Sequence, residues 1–175
     1  MDNFAEQLVK KNETNADKTR RFSMMIVGIL FSAALLLLTL FQARSPLLVL
    51  LGFALAAAAG YGTYYFVQNT YVEYEYTFTN GELDVDKIIA KKKRRPMLST
   101  SIRQFTDFGR YEEGMEETAD MTVIMATDNI ASHEYYADFT DETVGSARLI
   151  FVPDERMLEN ISKFLPAKLR TKQHL

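Results

Sequence analysis

Residues 22–41 read FSMMIVGILFSAALLLLTLF, and residues 47–67 read LLVLLGFALAAAAGYGTYYFV; neither run contains a charged side chain. At about 1.5 Å of rise per residue, a helix of roughly 20 residues crosses a hydrocarbon core about 30 Å thick. The first run is longer than the apolar core of a cleaved signal peptide, and the second run follows after only five residues. The sequence therefore predicts a transmembrane helical hairpin over residues 22–67, with antiparallel helices at 22–41 and 47–67.

Lysine and arginine are unevenly distributed around the predicted hairpin. Five of them precede the first helix, and Lys87 and a run at 91–95 follow the second, whereas the turn contains only Arg44. Short flanks rich in Lys and Arg stay on the cytoplasmic side of a membrane. We therefore expect a multi-pass protein of the cell membrane with both termini in the cytoplasm. Because neither run contains an ionisable group, a transporter or channel is not expected.

Small residues recur at intervals of four in both predicted helices, which lets helix backbones approach closely in a membrane. We expect these residues to pack the two helices of one chain together. Docking of a second copy on the same residues, which would make a homo-oligomer, is the alternative. A turn centred on Arg44 pairs Gly28 with Gly60, Ser32 with Ala56, and Leu36 with Gly52.

The chain beyond residue 68 alternates between apolar and polar side chains, as a half-buried strand does. Tyr74, Tyr76 and Phe78 lie on one face of the first strand. Asn80-Gly81 follows at once, and this dipeptide is the strongest short signal of a β-hairpin because a type I′ turn needs positive φ at both central positions. The sequence therefore predicts an antiparallel hairpin at the start of this region.

The rest of the chain completes a β domain closed by a helix. Further strands are expected over residues 99–105, 121–127, 134–139 and 144–152, and helical spacing begins after Pro153. Near the N-terminus, Phe4, Leu8 and Val9 predict either a short amphipathic turn or a frayed tail. We expect an α+β membrane protein with four parts: a cytoplasmic N-terminal segment (1–21), the hairpin (22–67), an antiparallel β domain with a C-terminal helix (68–166) and a polar tail (167–175).

Two stretches resemble a known family. The segment YEYTFTNGELDVDKII (74–89), followed by a basic run and later by Pro153-Asp154 at the start of a helix, resembles the beginning and end of bacterial pleckstrin-homology-like (PH-like) domains. The opening DNFAEQLVKK (2–11) ahead of a hairpin is similar to a group of small uncharacterised membrane proteins of Gram-positive bacteria. This resemblance implies an antiparallel PH-like fold at a membrane, in a family whose domain has no known function, and it transfers no catalytic residue.

The densest charged run follows the second strand of the predicted β-hairpin at Asn80-Gly81, and it ends at Pro96. If Asn80-Gly81 sets the register, Tyr71 lies opposite Ala90, so the run lies close to the point where the chain leaves the membrane. Basic side chains beside an anionic leaflet gain about 1 kcal/mol each. We hypothesise that the run contacts anionic lipid headgroups; a solvated turn that only reinforces topology is the alternative. The run consists of Lys91, Lys92, Lys93, Arg94 and Arg95.

Composition excludes several classes of site. The chain has no Cys, which removes disulfides, thiolate nucleophiles and Cys-ligated metals, and it has only two His. A net charge of −3 argues against broad phosphate neutralisation, so we expect no nucleic acid partner. Phosphate-loop and dinucleotide motifs are absent from the sequence. We therefore expect no metal, no cofactor and no catalytic residue.

The preferred function is a membrane-tethered interaction or scaffold module, with the lipid bilayer and an unidentified protein as partners. The first alternative is a module that senses anionic lipid headgroups. The second is a membrane-bound enzyme with carboxylate chemistry. This enzyme would need a cleft that gathers several of Asp84, Asp86, Asp107 and Glu134.

Overall fold

A computed structural model of the chain describes residues 3–11, 13–41, 45–112, 114–115, 120–127, 133–141 and 145–170. These residues divide into two units, Glu13–Tyr71 and a second that joins Met1–Asn12 to Val72–Leu175. The elements are β1 (Phe4–Lys10), α1 (Asn15–Phe41), α2 (Pro46–Gln68), β2 (Val72–Thr79), β3 (Glu82–Ile89), β4 (Lys93–Ser101), a 3-10 turn (Ile102–Gln104), β5 (Phe105–Arg110), β6 (Thr122–Met125), β7 (Tyr135–Asp141), β8 (Gly145–Phe151), α3 (Glu155–Phe164) and α4 (Ala167–Arg170).

The first unit is a pair of helices, α1 and α2. Both are long and apolar enough, by length and composition, to cross a membrane. The first begins earlier than predicted because Thr14 and Asp17 cap it: the Thr14 hydroxyl donates to Asp17 Oδ2 (2.9 Å), and the Asp17 amide donates to Thr14 Oγ1 (3.2 Å). The predicted turn at Arg44 lies outside the described residues.

Glycine–threonine contacts set the distance between α1 and α2. Gly28 faces Thr63, and Gly52 faces Thr39. A Cβ added to Gly28 would lie 2.6 Å from Thr63 Cβ, and one added to Gly52 would lie 2.8 Å from Thr39 Cβ. Each threonine hydroxyl donates to a carbonyl one turn earlier in its own helix, so it brings no unsatisfied donor into the contact. The two helices therefore lie in close contact at these two glycines.

The predicted pairing of the two helices differs by about one helical turn from the observed one. Gly60 faces Ser32, whose Oγ would lie 3.7 Å from an added Cβ. The predicted pairs were obtained by counting residues outward from the turn, which assumes that both helices end at the same level. In the structure, the fit of each threonine against a glycine selects the register of the two helices. The observed contacts replace the pairs Gly28–Gly60, Ser32–Ala56 and Leu36–Gly52.

The second unit contains two four-stranded sheets. One has the order β1-β2-β3-β4 and is antiparallel throughout; the other has the order β5-β7-β8-β6. In the second sheet β6 is parallel to β8, which the expectation of a purely antiparallel domain missed. Strand β8 lies between β7 and β6, and it pairs with β7 antiparallel and with β6 parallel.

The predicted β2–β3 hairpin is present with its predicted register. Asn80 and Gly81 have φ of 51° and 101°, and Val72 pairs with Ile89 at the far end. The inward side chains include Tyr76, which is fully buried. Its hydroxyl donates to the Ala126 carbonyl (2.6 Å), which ties the first sheet to the segment after β6. Burial raises the pKa of Tyr76 well above its usual value.

Strand β1 was expected as an amphipathic turn or a tail, and it is instead an edge strand of the first sheet. It pairs with β2 from Phe4 opposite Thr79 to Lys10 opposite Glu73. The Gln7 side chain donates to the carbonyl of Val152, the residue that follows β8 (2.9 Å). The β domain therefore begins before the helices, and the hairpin is an insertion between its first two strands rather than a separate N-terminal part.

The C-terminal helix follows Pro153 as predicted. Asp154 caps α3 by accepting a hydrogen bond from the Met157 amide (2.7 Å). Beyond Pro166 the chain was expected to be a polar tail, but Ala167–Arg170 forms a short helix that buries Leu169 in the core. Residues 171–175 lie outside the described residues.

Candidate functional site

The basic run spans the β3–β4 turn and the start of β4. Ala90 and Lys91 have φ of 56° and 58°, which makes this a second tight turn with positive φ. Lys93 pairs with Ile89, which in turn pairs with Val72, the first residue of β2. All five basic side chains are exposed. The run therefore lies at the end of the first sheet where β1 ends and β2 begins.

Strand geometry divides the basic run between two faces of the sheet. The side chain of Arg94 lies on the outer face, where its Nη2 is 2.9 Å from Glu75 Oε1. Lys93 and Arg95 are its neighbours in the strand, so their side chains leave from the opposite face. The Arg94 side chain is 63% exposed and that of Glu75 only 7%. Arg94 thus has a structural role as the counter-charge of a buried carboxylate.

A groove of about 400 Å³ crosses the outer face of β2, β3 and β4. It contains two of the four carboxylates singled out in the sequence, Asp84 and Asp86, together with Glu75. Pro96 lies opposite Asp86, at a bulge, and β4 tolerates a proline here because it is an edge strand with no ladder partner on that side among the described strands. The lining of the groove is mixed, because Met97 and Leu98 contribute apolar surface beside the carboxylates.

The other two carboxylates lie in or beside the second sheet, Asp107 in β5 and Glu134 immediately before β7. Asp107 Oδ2 accepts a hydrogen bond from the Tyr136 hydroxyl (3.0 Å), and Glu134 is almost fully buried. Burial, followed by the contact with Asp107, raises the pKa of Tyr136 to about 12. The four carboxylates are therefore divided between two sheets. Among the described residues, no three His, Asp or Glu side chains are grouped so that they could hold a metal ion.

Sequence reasoning missed an ion pair in the second sheet. Arg148 donates to both carboxylate oxygens of Asp138, at 2.6 and 2.7 Å, and both side chains are largely buried. Its guanidinium also lies 5.1 Å from the centre of the Tyr136 ring. A bidentate pair of this kind holds β7 against β8. The two residues have opposite charge and pair directly in the observed β7–β8 ladder, three residues from its Asp141–Gly145 end, whereas the predicted strand ends at 139 and 144 do not place them opposite each other.

The Arg94–Glu75 contact gives a stability prediction. Replacing Arg94 by Gln leaves the buried Glu75 carboxylate without its cation, so we expect a loss of about 1–2 kcal/mol in the free energy of unfolding, a modest value because Arg94 itself is mostly exposed. Thermal unfolding of the purified chain in detergent measures the change. Arg95→Gln removes the same charge from the opposite face and is the matched control, with an expected change within about 0.5 kcal/mol. Equal losses in both variants would contradict the assignment.

Comparison with known proteins agrees with this architecture. The family model described as Bacterial PH-like domain (DUF6106) matches residues 1–171, a range that includes the two apolar helices and every described strand. No curated protein and no solved structure matches the chain. The resemblance inferred from residues 74–89 is thereby confirmed, and the chain belongs to the family of bacterial PH-like domains DUF6106.

Proposed function

We propose that the helical hairpin anchors the chain in the cell membrane and that the PH-like domain acts there as an interaction or scaffold module. The observation that carries the proposal is the insertion of the hairpin between β1 and β2. A domain that continues into apolar helices from two neighbouring strands, at Lys10 and Glu73, is tethered twice. Two short tethers restrict the tumbling of the domain more than one would, which suits a module that presents its surfaces in a limited range of orientations.

The excess of Lys and Arg outside the hairpin supports an arrangement with both termini, and the domain, in the cytoplasm. The β domain contributes to this excess of Lys and Arg. Its basic run is at the end of the first sheet where β1 leads to α1 and where α2 leads to β2. In this arrangement the short connection between α1 and α2 is outside the cell.

Single-cysteine variants test this orientation cleanly, because the natural chain has no Cys. We expect a membrane-impermeant maleimide added to intact cells to label a cysteine at Ser45, between the helices, and to leave cysteines at Asn3 and Ser99 unlabelled until the cells are opened. Labelling at Ser99 in intact cells would overturn the cytoplasmic location of the domain.

The interaction role itself predicts a protein neighbour. A photo-crosslinker attached to a cysteine at Ser99, exposed on the first sheet, or at Thr122, exposed on the second, samples two separate surfaces of the domain. We expect irradiation of native membranes to give a protein adduct that is specific to one of these two positions. If both positions give only the same background of abundant membrane proteins, the scaffold role is contradicted.

A second candidate function is contact with anionic lipid, favoured by the location of the basic run. Lys91, Lys92, Lys93 and Arg95 are exposed, and Arg94 contacts the carboxylate of Glu75. The two connections to the hairpin, residues 11–14 and 69–71, are too short to carry this end of the domain far from a membrane surface. Cations within about 8 Å of an anionic leaflet at physiological salt are attracted to it.

Vesicle binding tests this second function without the anchor. Because Lys10 and Glu73 are paired neighbours, a short Gly/Ser linker can replace the hairpin and retain β1 in the sheet. We expect this soluble protein to bind phosphatidylglycerol vesicles and not phosphatidylcholine vesicles. Replacing Lys91, Lys92, Lys93 and Arg95 by Gln should weaken binding by on the order of a thousandfold, at about 1 kcal/mol per charge.

The control variant removes four positive charges from outside the basic run and should bind nearly as well as the unmodified protein. Equal weakening in the two variants would mean that net charge alone, and not this surface, governs binding. Binding that persists at high salt would instead favour recognition of a specific headgroup over a screened surface attraction. The control replaces Arg103, Arg110, Lys163 and Lys168 by Gln.

A further inference from the structure

A second feature with binding potential lies within the helical hairpin. A groove of about 590 Å³ runs between α1 and α2 along one side of the pair, from Leu36 at one end to Tyr71 at the other. Its walls are mostly apolar, and its size is that of a small-molecule site. Gly60 leaves it open, since a Cβ there would meet only Ser32 Oγ, at 3.7 Å.

The groove has the dimensions of one hydrocarbon chain in one leaflet. Along α1 it extends from Met25 to Leu36, about 16 Å of helix, and half of a hydrocarbon core is about 15 Å. An unbranched acyl chain matches this length and the mostly apolar walls of the groove.

The end of the groove at Tyr71 is polar and positively charged. Arg21 lies one turn before Met25 on the same stripe of α1, and its guanidinium stacks on Tyr71 at 3.8 Å from the ring centre. It also donates to Thr70 Oγ1 (2.8 Å), so its position is fixed. Lys18 continues this stripe by a further turn and is exposed.

Residues 13–21 contain three cations, Lys18, Arg20 and Arg21, and two carboxylates, Glu13 and Asp17. Both carboxylates have partners within the helical unit. Glu13 accepts from Arg21, and Asp17 accepts from Thr14. The excess positive charge lies at the level where a phospholipid whose chain fills the groove would have its phosphate.

We propose that the groove between α1 and α2 binds one acyl chain of an anionic phospholipid, with the headgroup beside Lys18. The inference rests on the proposed membrane anchoring and adds a specific lipid to it. Bulk lipid surrounds any membrane helix, but a chain held in a groove with its headgroup at a cation exchanges more slowly and survives extraction of the protein by mild detergent.

Filling the groove tests the proposal. The full chain is incorporated into vesicles of phosphatidylethanolamine and phosphatidylglycerol in equal amounts, extracted in mild detergent and examined by native mass spectrometry. We expect the unmodified protein to retain one phosphatidylglycerol molecule per chain. Gly60→Leu fills the groove without a backbone clash, and we expect it to reduce the retained fraction by about tenfold.

The matched control is Gly62→Leu, which makes the same substitution two residues away. Gly62 lies outside the groove and has nothing within 4 Å of an added Cβ, so this variant should retain lipid as the unmodified protein does. Ala33→Leu narrows the groove from α1 and should reproduce the loss. Helical content by circular dichroism checks that each variant is folded. Equal retention in Gly60→Leu and Gly62→Leu, or a lipid-free unmodified protein, would overturn the proposal.

The charge at the end of the groove has its own readout. Lys18→Gln should leave the total amount of retained lipid nearly unchanged and reduce the preference for phosphatidylglycerol over phosphatidylethanolamine severalfold. An unchanged preference would refute the location of the headgroup. Alkaline carbonate extraction distinguishes failure of the anchoring proposal from failure of the groove proposal. If the chain is not anchored, the unmodified protein leaves the membrane in carbonate. If only the groove proposal fails, the protein stays in the membrane and retains no lipid.

Discussion

Strand β1 hydrogen-bonds to β2 along its whole length, and this pairing closes the first sheet across an insertion of two long helices. Without it, β2 would be an edge strand. The inward side chains of β1, such as Ala5, belong to the same core as Tyr76 and Phe78 of β2. A contact between residues nearly seventy positions apart in the sequence therefore makes the β domain one unit with its N-terminal segment.

The same pairing explains the position of the basic run. Because β1 and β2 meet the helices at one end of the sheet, the β3–β4 turn, which lies at that end, carries its cations there. The side chains then divide by strand alternation, so that Arg94 neutralises Glu75 while its neighbours leave from the other face. All residues of the run are basic in the sequence, but in the fold their side chains lie on two different faces of the sheet.

Local patterns predicted much of the architecture. Two uncharged apolar runs, the Asn80-Gly81 turn, the alternation of β2 and β3 and the helix after Pro153 all depend on interactions between residues close in the sequence, and all are present. Strand β1 was not predicted as a strand because its largest apolar residues, Phe4 and Leu8, face outward and are about half exposed. Its inward positions include the polar Gln7. Its alternation is visible only once β2 is known to be its partner.

The helix register shows the same division. From the sequence by itself one can say that two helices form an antiparallel pair with glycines in contact, because length, polarity and residue size are properties of each run. Which residue each glycine meets depends on how surfaces fit: Thr63 and Thr39 satisfy their hydroxyls in their own helices and so pack closely against Gly28 and Gly52. Composition and short-range pattern thus determined the elements. Packing and long-range hydrogen bonding, which no local window contains, decided the register of the two helices, the pairing of the first strand and the place of the basic run on its sheet.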